Sequence, residues 1–515
     1  MRQKIQLFIG AALLISVLIA CQKEEPTTTA TNAPAVNDQS MPYGKMQLGK
    51  QLQNPYSTAN MQQALDNLKA TTSNGEFDNI DITTTHLYLQ FQPQTEEELS
   101  ILLRDSTLKL YDYPLDYEII KKGTHYRDPA VAEGQPTYQY AAVKVGEELS
   151  KELTYKVLAE LFIPDEYKGT ENAQLMGPIQ SEEIVEALVN EALRITDNLP
   201  KDNSAQDQVA GNRASSWRPA GRIRVWDDYN SVYLGLQGVE VRANRWFTTH
   251  TGIANSSGYY SCNGTFRNDA NYSIKWERYQ FMIRDGWQSG ANYNGPKKRG
   301  DWNLNIRNGA QEFYGTIFRA AYHYYYKSIK GLRRPPQNGT LNTQMKIRAY
   351  NEENPDANGN HSDERRFLGI GSQIKIFNPQ NSSRSIYATT IHELAHASHW
   401  NLQRNDFDPS ETRVKESWAR GVQWELTRMT YPGYRGGATI RPNYTQLVVD
   451  MIDRPSDYNN GSENTSQDNV QDYTIRQIED ALQGQRTWHA WRNNIRNRYN
   501  NSTEGNLNTL FDYWD

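Results

Sequence analysis

RSIYATTIHELAHASHWNL, residues 384–402, is the stretch that decides the fold of the C-terminal part of this chain. Its apolar and small residues recur every three or four positions, the period of an amphipathic helix with one buried face: Ile391, Leu394, Ala395, Ser398 and Leu402. An alternating run at 373–377 predicts a strand just before it, and a mainly aromatic stripe within 311–327 predicts another helix that packs in a core. Together these patterns predict a domain that mixes helices and strands.

The helix at 384–402 contains the sequence His-Glu-Leu-Ala-His at positions 392–396. Four residues span about 400° of helical rotation, so His392 and His396 project within about 40° of each other, one turn apart. In that arrangement both can bind one tetrahedral ion. Glu393 points about 100° to the side, where it can accept a proton from a water molecule on the metal. The pattern predicts a metal site with Glu393 as its general base.

A catalytic zinc ion usually has three protein ligands, so a third ligand must come from another position. His399 lies on the same helix face, but about 10.5 Å of axial rise separates it from His392, too far for all three histidines to meet one ion. Three carboxylates follow on a second predicted helix. Glu411 suits a helix start and Glu425 belongs to an apolar stripe, so both have structural interpretations beside the ligand interpretation. Glu416 is the third candidate.

The phrase Glu-Ser-Trp-Ala at 416–419 begins 20 residues after His396 and resembles the glutamate phrase of gluzincin metallopeptidases, which include the thermolysin-like and aminopeptidase families. The metzincin pattern fails, because His399 and Leu402 stand where it has Gly and His. The resemblance covers about residues 365–480 and implies a zincin-like catalytic domain with two metal-bearing helices. It implies Zn²⁺ with the following ligands and base: His392, His396, Glu416 and Glu393.

The gluzincin resemblance carries two further expectations and one departure. A Tyr or His beyond the ligand helix stabilises the oxyanion in those enzymes, and Tyr473 or His489 is the corresponding candidate here. Residues 371–377 resemble the edge strand that pairs with an extended peptide substrate. Arg420 departs from the pattern, because thermolysin-like enzymes have an acidic residue there that helps to orient the histidines. Orientation of the histidine pair must therefore come from elsewhere.

A second metal pattern lies at 354–359, where Asn-Pro-Asp-Ala-Asn-Gly matches the first half of a calcium-binding loop. The first position is Asn354, however, and the twelfth is Arg365 instead of a bidentate glutamate. A surface turn is the favoured interpretation, and Ca²⁺ is the alternative cofactor.

The N-terminus has the pattern of an export signal. Residues 1–20 carry Arg2 and Lys4 before an apolar run that is too short to span a bilayer. The sequence Leu-Ile-Ala-Cys ending at Cys21 resembles the bacterial lipobox, which implies an acylated Cys21 as the lipid anchor. The sequence Gln-Lys-Glu-Glu at 22–25 resembles the tag that sends some Gram-negative lipoproteins to the outer cell surface. We therefore expect an outer-membrane or cell-surface lipoprotein.

Composition shifts divide the rest of the chain. A polar tether at 21–42 precedes a small α/β domain at 43–196, and an aperiodic polar segment at 197–216 is a linker. Short alternating runs separated by turn residues predict a β-sandwich at 217–285, which resembles the transthyretin-like carboxypeptidase regulatory domain. The metallopeptidase domain would occupy 286–515. His250 and Cys262, within the sandwich, have structural interpretations.

The whole-chain composition limits the partners. With 55 basic and 60 acidic residues among 515, the formal charge of -5 argues against nucleic acid as a partner. The resemblance implies a zinc metalloendopeptidase that cleaves extracellular peptides or proteins. Two alternatives remain: a zincin-fold lipoprotein without turnover that binds or adheres, which Arg420 motivates, and an aminopeptidase, which would need a carboxylate in the cleft for the substrate amine.

Overall fold

A computed structural model describes residues 45–515 with several gaps: 74, 106, 122, 124, 133, 165–181, 200–215, 287–288, 338–343, 352–358, 363–372, 379–381, 437–441 and 455–468. The predicted signal peptide, Cys21, the tether and most of the calcium-like sequence at 354–365 lie outside the described residues. The described part is a mixed α+β structure.

The described residues form eleven α-helices, which are in chain order α1 (Thr58–Thr71), α2 (Glu96–Arg104), α3 (Glu182–Ile195), α4 (Gly309–Tyr326), α5 (Ser383–Leu402), α6 (Arg404–Phe407), α7 (Thr412–Thr430), α8 (Leu447–Ile452), α9 (Ile475–Leu482), α10 (Trp488–Arg498) and α11 (Leu507–Tyr513). The strands are β1 (Gln47–Gln51), β2 (His86–Phe91), β3 (Tyr117–Lys121), β4 (Gln139–Lys144), β5 (Tyr155–Leu161), β6 (Ala220–Asp227), β7 (Val232–Gly235), β8 (Glu240–Arg245), β9 (Thr248–Ile253), β10 (Tyr259–Ser261), β11 (Ala270–Lys275), β12 (Phe281–Asp285), β13 (Ser289–Gly290), β14 (Asn292–Lys298), β15 (Leu304–Ile306), β16 (Met345–Tyr350), β17 (Gly359–Ser362) and β18 (Gln373–Phe377).

The N-terminal part is a small sheet with helices. Strand β2 lies between β4 and β5 in an antiparallel sheet, and β1 pairs with β3 separately. Helices α1 and α3 pack against each other. Helix α2 begins after Thr95, whose side chain accepts a hydrogen bond from the Glu98 amide at 3.2 Å, as an N-cap residue does. The described residues of this part thus contain both helices and strands, although the alternating run at 107–111 forms no strand.

Two four-stranded sheets follow. One contains β10, β6 and β15 in that order, with β7 also paired to β6, and the other has the order β14-β11-β8-β9. Trp302, which precedes β15, packs its ring against Tyr272 and Tyr293 of the second sheet at centroid distances of 5.3 and 5.9 Å. These contacts pack the segment that leads into β15 against the second sheet.

The predicted boundary after residue 285 does not match these pairings. Strands β14 and β15 follow that boundary but pair with β11 and β6 of the two sandwich sheets. Strand β12 precedes it and pairs in parallel with β16 of the C-terminal sheet. The chain leaves and re-enters the sandwich, which local alternation cannot reveal because strand pairing is a contact between distant segments.

The C-terminal sheet has the strand order β13-β12-β16-β18-β17. The expectation that 373–377 is an edge strand is wrong: β18 pairs in parallel with β16 on one side and antiparallel with β17 on the other. Strand β17 is the last strand at that end of the sheet within the described residues. Helix α5 packs against both β17 and β18.

One large cluster of buried apolar side chains spans the sandwich and the C-terminal part, from Ile223 and Val241 to Ile391 and Trp418. The N-terminal part has a separate cluster, which receives Phe247 from the hairpin between β8 and β9. Phe247 lies edge-on to Tyr88 at 4.8 Å. No helix in the described part of the chain is both long and apolar enough to cross a membrane.

Candidate metal centre

Helix α5 begins where the sandwich meets the C-terminal part. Its N-cap is Ser382, and the amide of Ser383 donates a hydrogen bond of 2.7 Å to Oδ1 of Asp228, just after β6. The amide of Asp228 donates in return to Oγ of Ser383 at 3.3 Å. This pair of hydrogen bonds gives a partner to one amide of the first helical turn that has none within the helix, and it fixes where α5 starts.

Helix α7 supplies the third group of the site. Helices α5 and α7 pack closely against each other, and both contain fully buried apolar residues such as Leu394 and Trp418. This packing places Glu416 of α7 against the two histidines of α5.

The side chains of His392, His396 and Glu416 form a compact triangle. Nε2 of His392 lies 3.1 Å from Oε2 of Glu416 and 3.1 Å from Nε2 of His396. Nε2 of His396 lies 3.3 Å from the same carboxylate oxygen. All three residues are buried, with Glu416 the most exposed at 9%. Together they form a group that could hold a metal ion.

The triangle fits a metal ion by its size and its donor atoms. A tetrahedral zinc ion with bonds of about 2.0–2.1 Å would keep its ligand atoms about 3.3 Å apart, close to the 3.1–3.3 Å found here. Two imidazole nitrogens that face each other need a proton or a cation between them, because both offer a lone pair when unprotonated. A shared cation would satisfy all three groups at once.

Electrostatic interactions within the triangle favour a negative Glu416. Burial alone would raise the pKa of Glu416, but the charge of His396 and the hydrogen bonds from His392 and His396 outweigh it and lower that pKa. Burial would also lower the pKa of His396, yet Glu416 and the charge of Glu393 raise it. The carboxylate therefore stays ionised, as a metal ligand must.

Glu393 lies beside the triangle and outside it. It follows His392 on α5, is 1% exposed, and acts electrostatically on His396. On the helix, the Glu393 side chain projects about 100° away from that of His392. A buried carboxylate in this position can accept a proton from a water molecule at the centre.

The other ligand candidates have different partners. Glu425 is buried and forms ion pairs with Lys330 and with Arg428, the latter at 2.5 Å, which confirms its structural interpretation. Glu411 is the N-cap residue of α7 and accepts a hydrogen bond from the Trp488 amide at 3.0 Å. Both carboxylates are therefore used in packing α7.

His399 is also outside the triangle. Its ring lies edge-on to Phe407 at 5.0 Å, and neither ring nitrogen has a hydrogen-bond partner among the described residues. Burial and the neighbouring charges of His396 and Lys415 hold its pKa well below the usual value. It is a neutral, packed side chain.

The two oxyanion candidates have charged neighbours near the C-terminus of the chain. Tyr473 is buried, with Glu504 and Arg496 as its charged neighbours, and burial raises its pKa to about 12. His489 has a side chain that is 57% exposed and lies 3.9 Å from Asp515. The role of either residue as an oxyanion donor stays a prediction.

Arg420 lies one turn after Glu416 on α7 and is buried. Its guanidinium group reaches the loop at Gly436, where an added Cβ would lie 3.7 Å from Nη2. The side chain is therefore enclosed by the loop that follows α7.

A buried polar network that the sequence analysis did not identify holds α5 against its neighbours. Tyr387, in the second turn of α5, contacts Nδ1 of His323 on α4 and Oγ1 of Thr430 on α7. Nearby, Oδ2 of Asp227 accepts hydrogen bonds from Arg319 at 2.9 Å and from the Tyr431 hydroxyl at 2.7 Å. The one sequence signal was the acidic residue Asp227 at an inward position of an alternating strand.

Comparison with known proteins provides no family for this chain. No model of a known protein family matches it, and no curated protein is significantly similar to it. The geometry of the metal centre is therefore the basis for assigning a function.

Proposed function

We propose that this protein is a zinc-dependent metallopeptidase that hydrolyses peptide bonds in extracellular proteins or peptides. The observation that carries the proposal is the buried triangle of His392, His396 and Glu416, with the carboxylate of Glu393 beside it. Two imidazoles and one carboxylate that leave an open position are the donor set of catalytic zinc sites.

Zinc is the metal that suits these ligands best. Imidazole nitrogen is a borderline ligand that zinc binds well, whereas calcium and magnesium prefer sites made only of oxygen. The separations of 3.1–3.3 Å also match a small tetrahedral ion better than a larger calcium ion.

The residues of the chain have separate roles in this proposal. Zn²⁺ bound at the triangle would act as a Lewis acid and lower the pKa of a water molecule. Glu393 accepts a proton from that water as it attacks the scissile carbonyl, and then delivers the proton to the leaving amine. Burial of Glu393 keeps competing water away and strengthens its interactions with charged groups.

The sheet beside the centre supports an extended substrate. Among the described strands, β17 is the last one at its end of the C-terminal sheet, and it packs against α5. Its outer edge is where a peptide can add as a further strand, with main-chain hydrogen bonds that do not depend on sequence. This replaces the role that the sequence analysis gave to β18. Internal cleavage suits such binding, because a strand can continue past the site in both directions.

The remaining parts of the proposal come from sequence resemblance. They are the zincin-like identity of the C-terminal part, the transthyretin-like identity of the sandwich, and attachment to the outer membrane through Cys21. The two four-stranded sheets, joined through Trp302, support the second, and the two helices that carry the triangle support the first.

The experiment that tests the proposal compares the wild type with Glu393→Gln on a broad peptide library. Mass spectrometry of the products reads both the rate and the position of each cut. Removing the general base should lower hydrolysis at least about 100-fold while zinc content stays at the wild-type level. Glu312→Gln is the matched control, because Glu312 is a buried carboxylate on α4 that ion-pairs with none of the triangle residues.

Two outcomes would contradict the proposal, and each would favour a different function. Unchanged hydrolysis in Glu393→Gln, or no hydrolysis by the zinc-loaded wild type, would favour a binding protein without turnover, the function that Arg420 motivates. Products shortened only from their N-termini would instead identify an aminopeptidase.

A further inference from the structure

The outward face of the sheet that contains β6 is basic and aromatic. Residues alternate along β6, so that Ile223 and Val225 are buried while Arg222, Arg224 and Trp226 point outward. Strand β15 pairs with one edge of β6, and β10 and β7 pair with the other. The face is thus three strands wide at each outward position of β6.

The pairing register defines three rows on this face, which we call the arginine face. Rows are about 7 Å apart, because outward positions on a strand are two residues apart. From one end to the other the rows are Tyr259-Arg222-Asn303, Gly235-Arg224-Asn305 and Tyr233-Trp226-Arg307. The three rows themselves contain no acidic residue, although the whole chain has a formal charge of -5. The exposed Asp301 precedes Asn303 by two positions, beyond the first row.

The side chains of the arginine face support one another. The guanidinium carbon of Arg307 lies 4.1 Å from the centre of the Trp226 ring, and the Trp226 and Tyr233 rings are 5.1 Å apart. Arg224 donates from Nε to Oδ1 of Asn305 at 2.9 Å. These contacts hold the guanidinium groups in place and reduce the entropy lost when a ligand binds them.

The arginine face presents hydrogen-bond donors. Oδ1 of Asn303 accepts a hydrogen bond from the Arg222 amide at 3.0 Å, and Oδ1 of Asn305 is occupied by Arg224. Each amide therefore keeps its NH₂ group as a donor, beside guanidinium groups that can only donate. A ligand that matches this face needs repeated acceptor oxygens and negative charge, since Arg binds carboxylates through two parallel hydrogen bonds.

The structure of this surface favours one class of acidic polymer as its ligand. Extended peptides bind at sheet edges through main-chain hydrogen bonds, which a sheet face does not offer. Single-stranded nucleic acid stacks successive bases on open aromatic faces. Here Arg307 and Arg224 lie over the rings of Trp226 and Tyr233, which leaves Tyr259 as the exposed ring of the three. The faces of small β-barrels bind oligosaccharides as well as oligonucleotides, and an oligosaccharide does not need a series of stacked rings. We propose that the arginine face binds a polysaccharide whose sugars carry carboxylate groups.

The location of this surface suits an anchoring role beside the metal centre. Strand β6 ends at Asp227, and the next residue, Asp228, is hydrogen-bonded to the start of α5 at Ser383. A polysaccharide on the face would lie near this junction and outside the triangle. The proposal does not depend on peptide hydrolysis.

Affinity electrophoresis or calorimetry of the full chain tests this proposal, with polygalacturonate as the probe. The wild type should bind it, and Arg222→Gln/Arg224→Gln should bind at least tenfold more weakly, because two charge-assisted contacts are lost. Arg454→Gln/Arg486→Gln removes the same charge from side chains that are 61% and 53% exposed elsewhere, and it should bind as the wild type does.

Arg222→Gln alone is a second variant that should weaken binding and leave folding unchanged, because the Arg222 side chain is exposed. Failure of the wild type to bind polygalacturonate would overturn the proposal, as would equal losses in the control variant. Equal or tighter binding of dextran, polyglutamate or oligo-dT would show that the face prefers a different class of polymer and would also overturn it.

Discussion

His323 shows how one buried side chain links acidity to the position of the metal-bearing helix. It is 3% exposed on α4, and its Nδ1 contacts the hydroxyl of Tyr387 on α5. Burial, with the positive charges of Lys327 and Arg319, lowers its pKa to about 4. In the unfolded chain the value is about 6.5, so between these values the unfolded state binds more protons.

We predict that the His323→Gln variant loses less stability in acid than the wild type. The histidine contributes stability that is fully present above pH 6.5 and is lost as the pH falls towards 4, by up to about 3 kcal/mol. Glutamine can still hydrogen-bond to Tyr387 but does not titrate. Urea denaturation from pH 7.5 to 4 measures the unfolding free energy of both proteins. As the pH falls, the variant should lose less of it than the wild type. A constant difference would contradict this account.

The two histidines could be predicted from the sequence, whereas the third ligand could not be derived in the same way. A spacing of four residues determines a common helix face, because α-helical geometry is local. Glu416 meets that face only because α7 crosses α5, and several carboxylates of α7 had plausible spacing. Tyr473 and His489 were chosen by spacing alone, and their role as oxyanion donors stays a prediction.

At the level of elements, the position of α7 depends on a close contact with α8. A Cβ added at Gly421 would lie 2.1 Å from Cγ1 and 2.4 Å from Cβ of Val448. Both atoms are near the backbone of α8, so rotation of the valine side chain cannot relieve the overlap. Glycine at 421 thus lets α8 pack against the helix that carries Glu416.

We predict that Gly421→Ala lowers the unfolding free energy by about 1–3 kcal/mol, the usual cost of overpacking a core. The same change at Gly505, where an added Cβ meets nothing within 4 Å, should have little effect. Thermal unfolding followed by circular dichroism measures both. A Gly421→Ala variant as stable as the Gly505→Ala variant would show that α8 moves without cost.

Local patterns predicted elements better than the pairings between them. The helix expected at 384–402 is α5 (Ser383–Leu402), and the strand expected at 373–377 is β18. The neighbours of β18 and the domain assignment of β12, β14 and β15 were wrong or missing, because pairing joins segments far apart in sequence. Alternation reports which face of a strand is buried and not which strand lies beside it.

At the scale of the whole molecule, Glu96 joins the N-terminal part to the C-terminal sheet. This residue begins α2 and is buried against three cations: Arg284 at 3.2 Å, Lys346 at 3.5 Å, and Arg348. Burial would raise the pKa of Glu96, but the hydrogen bond from Arg348 and the neighbouring charges lower it, so the carboxylate is ionised.

The contact at Glu96 lies on the side of the sheet away from α5. Along β16, Met345, Ile347 and Ala349 join the apolar cluster that contains the helices, while Lys346 and Arg348 alternate with them and point to the opposite face. Through this contact the described N-terminal residues support the side of the sheet that lies opposite α5.

We predict that Glu96→Gln lowers the unfolding free energy by about 3–5 kcal/mol, because three buried cations lose their common counter-charge. Asp472→Asn is the control, since it breaks an ion pair to Arg454 whose side chains are 48% and 61% exposed. That pair should contribute at most about 1 kcal/mol. Chemical denaturation compares the two, and similar small effects would mean that Glu96 does not anchor the N-terminal part.

The most direct test of the whole account is the zinc content of the purified chain, measured by element-specific mass spectrometry after zinc loading and dialysis. We predict about one zinc ion per chain for the wild type and for Glu425→Ala, and a sharp loss for Glu416→Ala, which removes one of three ligands. A wild type that retains no zinc, or zinc that persists in Glu416→Ala and disappears in Glu425→Ala, would contradict the assignment of His392, His396 and Glu416 as the metal centre.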